Sequence, residues 1–161
     1  MVWQQFDGST DNIWANRVSA ASNTLGTATL IKNNNAGDAN AGDASMPQIA
    51  ADSSGNVLVV WQLSDGTRSS IWTNRFDVAT NSWGTGAPVE TDDTDTAFDP
   101  QILMDFNGKA VAAWSRRDSA RGDIWTSRYL VGNGWIAPVQ LKAVTQSAGK
   151  PQISMDSSGD T

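Results

Sequence analysis

The chain has 161 residues, no cysteine, no histidine and a formal net charge of −6 at pH 7. This excludes a disulfide framework and cysteine metal sites, and it removes histidine as general base or transition-metal ligand. The negative charge argues against a nucleic-acid partner. The absence of an apolar run near 18 residues argues against insertion into a membrane. Eight tryptophans and 39% hydrophobic residues indicate a globular protein.

Three copies of one repeat fill the chain. In each copy a tryptophan is followed eleven residues later by a second tryptophan, and three residues after that by an arginine. A Pro-Gln-Ile triplet and a turn that opens with aspartate recur with them, and such a period predicts a repeat architecture. The framework positions are Trp3, Trp14, Arg17, Trp61, Trp72, Arg75, Trp114, Trp125 and Arg128, with the turn aspartates Asp52, Asp105 and Asp156.

In chain order, the first repeat is predicted to supply strands at 1–5, 12–18 and 28–32, before a linker rich in Asn, Gly and Ala at 33–45. The second is predicted to supply strands at 47–52, 57–62, 71–77 and 87–91. Its apolar run at 57–62 is typical of a strand covered on both faces, and Pro88 places the fourth strand at an edge. The third repeat has predicted strands at 100–105, 109–115, 123–130 and 137–142.

Four antiparallel strands in about 50 residues, with no helical period, predict an all-β fold of β-propeller blades. We expect a single domain over 1–161. It comprises the second to fourth strands of the first blade at 1–46, a second blade at 47–99, a third at 100–150 and an orphan first strand at 151–161. Three blades alone would need about 120° between neighbours, outside the usual range of four to eight blades. The predicted partner is therefore a second copy, in a head-to-tail homodimer that forms a six-bladed ring.

The turn Asp52-Ser53-Ser54-Gly55 and the later Trp61 resemble the repeats of bacterial secreted and surface β-propeller proteins, a group that includes the sialidase-like propellers. The resemblance covers the whole chain and favours an extracellular or cell-envelope location. The sialidase Asp-box reads Ser/Thr-x-Asp-x-Gly-x-x-Trp, so Gly55 and Trp61 both lie too far along. Sialidases also use a Tyr nucleophile with a Glu partner. Tyr129 is the single tyrosine and has no glutamate nearby in sequence, so we carry over no active site.

Ligand sites in propellers generally lie where the loops between second and third strands meet the loops that link blades. Here those loops are 6–11, 63–70 and 116–123, and 33–45, 92–99 and 143–149. Residues there and in the turn before the fourth strand, where the tryptophans are expected to be exposed, are candidates for ligand binding. They are Asp65, Arg68, Trp83, Arg116, Arg117, Arg121 and Trp135.

The recurring residues have two readings. Tryptophan rings could stack on sugars, and Arg17, Arg75 and Arg128 could bind carboxylates, but positions that travel with the whole repeat favour packing and internal hydrogen bonds. The turn aspartates could bind calcium, although such residues usually accept hydrogen bonds from their own backbone.

The acidic stretch at 90–99 is the sharper metal candidate, through Asp92, Asp93 and Asp95. It lacks EF-hand spacing, so we predict a solvated loop without metal and no cofactor.

These observations favour a non-enzymatic binding or scaffold module for a glycan or protein ligand. The alternatives are a sialidase-like glycoside-processing enzyme and a purely structural, self-assembling repeat fragment.

Overall fold

A computed structural model describes residues 1–19, 22–32, 42–90, 94–117, 121–141 and 147–156, and every regular element in these ranges is a β-strand. The strands are β1 (Val2–Phe6), β2 (Asp11–Ala15), β3 (Val18–Ser19), β4 (Thr24–Leu25), β5 (Thr29–Leu30), β6 (Ala44–Ala51), β7 (Val57–Ser64), β8 (Ser69–Asp77), β9 (Ser82–Trp83), β10 (Ala87–Pro88), β11 (Thr96–Met104), β12 (Ala110–Arg117), β13 (Gly122–Leu130), β14 (Gly134–Trp135) and β15 (Val139–Leu141). The prediction of an all-β chain with antiparallel sheets is confirmed.

The first sheet, here called sheet 1, has the order β1-β2-β5. The predicted strand at 12–18 ends at Ala15. The backbone of Asn16 still exchanges hydrogen bonds with Met1, at 3.0 and 2.9 Å, while its side-chain amide donates to the carbonyl of Gly26. Val18 and Ser19 pair instead with Leu25 and Thr24 in a separate two-stranded ribbon.

Sheet 2 has the order β10-β8-β7-β6, with β9 also paired to β8. The apolar strand β7 lies inside the sheet and is buried from Leu58 to Trp61, as predicted for a strand covered on both faces. The predicted fourth strand at 87–91 is shorter, since only β10 lies within it, and β9 forms a further short strand before it. The edge of the sheet is thus divided: β9 pairs with the last residues of β8, and β10 pairs with its middle. Pro88 stands at the edge, where its missing N–H leaves no ladder bond unmade.

Sheet 3 repeats this plan in the order β11-β12-β13-β14, with β15 also on β13. Its predicted fourth strand at 137–142 corresponds to β15 alone, and β14 forms a further short strand before it, so this edge is divided in the same way. Residues 151–156 were predicted to form a strand; they belong to none, and among the described residues no strand pairs with them.

The core lies between successive sheets. Ile13 and Ile31 of sheet 1 pack with Val59 and Trp61 of sheet 2. In the same way, Ile71 and Val89 of sheet 2 pack with Ala112 and Trp114 of sheet 3. Side chains alternate across a strand, so each sheet can contribute one apolar face to each neighbour. The repeated tryptophan therefore covers the face of the preceding sheet.

Two of the three turn aspartates, Asp52 and Asp105, act as predicted, and the turn after Asp156 lies outside the described residues. Asp52 Oδ1 accepts from the backbone N–H groups of Ser54 and Asn56 at 2.8 and 2.9 Å. Gly55 takes φ 93°, which suits glycine because it has no Cβ. Asp105 makes the same pair of bonds in sheet 3.

Candidate functional site: a cleft between sheets 2 and 3

A cleft of about 580 Å³ opens at the end of the molecule that carries the loops between second and third strands. The loop between β7 and β8 contributes Arg68 to it, and the segment linking sheets 2 and 3 contributes Thr94 to Thr96. Phe98 of β11, Arg117 at the end of β12 and Gln62 of β7 complete the lining. Two predicted ligand-binding residues, Arg68 and Arg117, thus come together between two repeats.

An arginine and an aromatic ring form one wall of this cleft. Arg117 is exposed, and its guanidinium carbon lies 5.4 Å from the centroid of the Phe98 ring. Such a contact holds the long side chain in one place while its N–H groups stay open to solvent. The wall therefore combines a flat apolar surface with charged hydrogen-bond donors.

Arg116 was predicted to lie on the same loop and to bind ligand, and this placement is wrong. It belongs to β12 and is 5% exposed. Its Nε lies 3.1 Å from Asp95 Oδ2, and its guanidinium lies 4.7 Å from the centroid of the Trp125 ring. A buried guanidinium needs such partners because losing its hydration is costly. Arg116 fixes the linking segment that carries Asp95, behind the cleft wall.

The remaining loop candidates lie outside the cleft lining. Asp65 caps its own turn, accepting from the backbone N–H groups of Thr67 and Arg68 at 2.7 and 2.8 Å. The N–H of Arg68, followed by that of Thr67, holds the pKa of the Asp65 carboxyl below its usual range. Asp65 thereby orders the loop that presents the Arg68 side chain. Arg121 is exposed at the start of the next strand.

Trp83 and Trp135 were predicted to be exposed, and both are half-buried instead. Each meets the aromatic residue of its own third strand edge-to-face. Trp83 lies 5.5 Å from Phe76 and Trp135 lies 5.6 Å from Tyr129, centroid to centroid, with nearly equal interplanar angles of 67° and 68°. Their packing explains why the sequence repeats these aromatic pairs.

Trp83 also lines a second cleft, of about 750 Å³, at the opposite end of the molecule. There Arg17 donates to Asn81 Oδ1 at 2.9 Å, and its guanidinium lies 4.5 Å from the Phe76 ring centroid. Arg17 therefore links sheet 1 to sheet 2. Arg75 instead pairs with Asp77 at 2.7 Å, and Arg128 is exposed. The structure does not bring these three framework arginines into one ring.

The acidic stretch at 90–99 is not a uniformly solvated loop. Glu90 is 3% exposed, and its Oε1 accepts from the N–H of Ile71 at 3.2 Å. Asp95 is bound to Arg116, while Asp92 and Asp93 lie outside the described residues. Within the described ranges, no three His, Cys, Asp or Glu side chains are grouped as metal ligands. No helix in the same ranges is long and apolar enough to cross a bilayer.

Sequence reasoning missed a buried charge at the position equivalent to Glu90 in the first repeat. Lys32 is 2% exposed, and its Nζ donates to the carbonyls of Asp11 and Gly42. Burial lowers the pKa of Lys32, and the negative charge of Asp43 opposes that shift. The signal was a Lys and a Glu at matching positions, each directly after an apolar residue of the core.

No family model matches the chain, and no curated protein matches it significantly. The resemblance to secreted and surface propeller repeats accordingly remains a prediction from the residues quoted above.

Proposed function

We propose that this chain is a non-enzymatic β-propeller module that binds a glycan or protein ligand at its loop face. The cleft between sheets 2 and 3 is the observation that carries this proposal. It draws on segments of two repeats, offers Arg68 and Arg117 as exposed donors, and presents the ring of Phe98. A flat ring beside a few polar groups is the usual composition of a ligand site.

The propeller architecture of the proposal rests on how the sheets meet. Sheets 2 and 3 have the same strand order, and the joints between successive sheets use equivalent residues. Regular stacking of this kind produces a ring when it closes. We place two chains in one ring of six blades, which gives each blade a neighbour on both faces.

The position of Tyr129 argues against the enzyme alternative. This side chain is half-buried against Trp135, and Tyr129 pairs with Ala110 at one end of the β12-β13 ladder. Arg117 pairs with Gly122 at the other end, seven residues away. At about 3.3 Å per residue this is on the order of 23 Å along the strand. A tyrosine nucleophile would not reach a ligand held in the cleft.

Binding to a glycan array and a screen with fluorogenic glycosides test this proposal together. We expect the chain to bind without turnover. Arg117→Gln should weaken binding by about tenfold or more, because a charged hydrogen bond contributes roughly 1.5–3 kcal/mol. Phe98→Ala should also weaken binding, because it removes the apolar ring of the cleft wall and the surface that the Arg117 guanidinium contacts. Arg128→Gln is the matched control, an exposed arginine at the far end of the same sheet.

Two results would contradict the proposal. Turnover that disappears in Tyr129→Phe or in a loop aspartate variant would favour the enzyme. An intact assembly that binds neither glycans nor proteins would favour the purely structural alternative.

A further inference from the structure

The segment 147–156 shares a backbone feature with the first strands β6 and β11, although no described strand pairs with it. Lys150, directly before the third Pro-Gln-Ile triplet, has φ 55°. Met46 and Asp99, directly before the other two triplets, have φ 53° and 54°. In β6 and β11 the ladder register shifts at this same place. Non-glycine residues adopt this region rarely, so its threefold occurrence before the same triplet marks a feature of the repeat, which in β6 and β11 is a bulge.

The beginning of this segment is attached to sheet 3. The N–H of Ala148 donates to the carbonyl of Gly122 at 2.8 Å, and the N–H of Lys150 donates to Ser115 Oγ at 2.9 Å. Ser115 is fully buried. From Pro151 to Asp156 the residues then alternate between half-buried and exposed, as in a strand with one covered face. The segment is therefore anchored to sheet 3 through Ala148 and Lys150.

The strand β1 lacks the kind of neighbour that this segment would provide. Trp3 pairs with Trp14 as Trp61 pairs with Trp72, so β1 is equivalent to β7. In sheet 2, β7 lies between β6 and β8, whereas β1 has β2 as its only partner among the strands that the structure describes. Its other edge carries backbone groups that a first strand would satisfy.

The apolar faces at the two ends are also complementary. Ile13 with Ile31, and Ile71 with Val89, form the faces that the tryptophans of the next sheet cover. The third such pair is Ile124 and Leu141, which are opposite each other in the ladder. Leu141 is 50% exposed and Ile124 is half-buried. At the other end of the stack, Trp3 of β1 is half-buried. Sheet 3 therefore carries the apolar face, and sheet 1 carries the tryptophan ring of the kind that covers such a face.

From this we infer that residues 147–156 of one copy pair with β1 of a second copy, while Trp3 of that copy covers Ile124 and Leu141. The inference rests on the two-chain ring in the proposed function and specifies its joint. By twofold symmetry the joint occurs twice, which closes the ring. The partner is a second copy because equivalent residues already pack against each other at the two joints within this chain. These are the joint of sheet 1 with sheet 2 and the joint of sheet 2 with sheet 3.

The existing ladders set the register of the joint. Gln48 pairs with Val60 and Gln101 with Ala113, so Gln152 should pair with Val2 of the second copy. Ser45 pairs with Gln62 and Phe98 with Ser115, so Gly149 should pair with Gln4. Directly opposed residues point to the same face of a sheet, with Cα atoms about 4.5–5.5 Å apart, which suits a disulfide.

Cysteine crosslinking tests this register cleanly because the natural chain has no cysteine. A cysteine at Gly149 is sterically acceptable, since an added Cβ would meet Ser115 Oγ at 3.5 Å, an ordinary contact. The double variant Gly149→Cys with Gln4→Cys should oxidise to a covalent dimer on a non-reducing gel. Gly149→Cys with Gln5→Cys is the matched control: the neighbouring side chain points to the opposite face, and we expect at least tenfold less dimer.

Mixing the two single variants, Gly149→Cys and Gln4→Cys, should give the same covalent dimer, because the bond joins two copies. Equal crosslinking in both double variants would overturn the predicted register. A native dimer that crosslinks in neither would overturn the joint while leaving the two-chain ring. A monomer, or a disulfide within one chain, would overturn the joint and the ring together, whereas loss of ligand binding alone would concern only the proposed function.

Discussion

The tryptophans of the first sheet and of the later sheets occupy the same position but have different surroundings. Trp61 and Trp114 are 0% exposed, and their indole N–H groups find no acceptor among the described residues. Trp3 is half-buried, and its Nε1 donates to Gln5 Oε1 at 3.0 Å on an exposed surface. All three pair with their second tryptophan in the same register. The difference teaches that burial here comes from the preceding sheet, and among the described residues no sheet covers Trp3 in that way.

The largest expected effect is the loss of stability when a tryptophan ring covered by the preceding sheet is removed. Trp61→Ala and Trp114→Ala should each lower the free energy of unfolding by about 3–5 kcal/mol, because the cavity left in a packed core cannot collapse fully. Chemical denaturation followed by circular dichroism measures this change. A loss below about 1 kcal/mol at either position would mean that the ring does not support the joint between sheets.

Trp3→Ala sharpens the comparison, since this ring should be covered only in the assembled ring of two chains. The variant should weaken association, raising the dissociation constant of the dimer by at least about 100-fold, equivalent to roughly 3 kcal/mol. Sedimentation across a concentration series provides the measurement. An unchanged dissociation constant would remove Trp3 from the joint.

Asp52→Ala tests the turns rather than the packing between sheets. It removes the acceptor for two backbone N–H groups and for the Asn56 side-chain amide, which lies 2.7 Å from Asp52 Oδ2. We expect a loss of about 1–3 kcal/mol in the free energy of unfolding. Asp105→Ala is the parallel test, since Asp105 accepts from the same pair of backbone N–H groups in sheet 3. A loss below about 0.5 kcal/mol at both positions would show that these carboxylates do not stabilise the turns.

Acid should weaken these turns further. Burial works to raise the pKa of Asp52, but hydrogen bonds from the Asn56 side chain and from backbone N–H groups outweigh it and lower the pKa. The Arg75 guanidinium likewise lowers the pKa of Asp77. A depressed pKa means that the unfolded chain binds protons first. This stabilisation is complete above about pH 4, where unfolded aspartates are ionised, and is lost as pH falls through the lower folded pKa.

Denaturation at pH 7 and pH 3 therefore provides a comparison of the turns with the rest of the fold. The wild-type chain should lose stability at the lower pH, and Asp52→Asn should lose less. An equal loss in both would remove Asp52 from the acid-sensitive groups.

The smallest expected effect is that of chelation. We predict that EDTA leaves the melting temperature unchanged, because Asp95 is engaged by Arg116 and Asp65 by its own turn. Differential scanning calorimetry with and without chelator measures it. A fall of several degrees, reversed by calcium, would establish a metal site in the acidic stretch.

Much of the fold could be predicted because the repeat shows each feature more than once. The apolar run at 57–62, Pro88 and the Asp52 turn each follow from local backbone chemistry, and all three predictions are confirmed. The divided fourth strands could not be foreseen, since a two-residue ladder leaves little pattern. The positive φ directly before each Pro-Gln-Ile triplet was also missed. The residues there are Met46, Asp99 and Lys150, and no single residue type marks the position.

The candidate site was predictable in place but not in detail. The expectation that loops between second and third strands meet the segments linking repeats located the region of Arg68 and Arg117 correctly. It could not show that Arg116 turns inward, because its partner Asp95 lies 21 residues earlier and on another segment. For Trp83 the signal was present: each such tryptophan follows an aromatic residue of the third strand by six or seven positions.

The mass of the native assembly tests the central claim most directly, namely that every sheet face is covered by an equivalent neighbour. Light scattering or native mass spectrometry should give twice the 17.1 kDa of one chain, with a dimer whose unfolding midpoint rises with concentration. A trimer would contradict the six-bladed ring and indicate nine blades. A stable monomer of 17.1 kDa at micromolar concentration would contradict the account altogether.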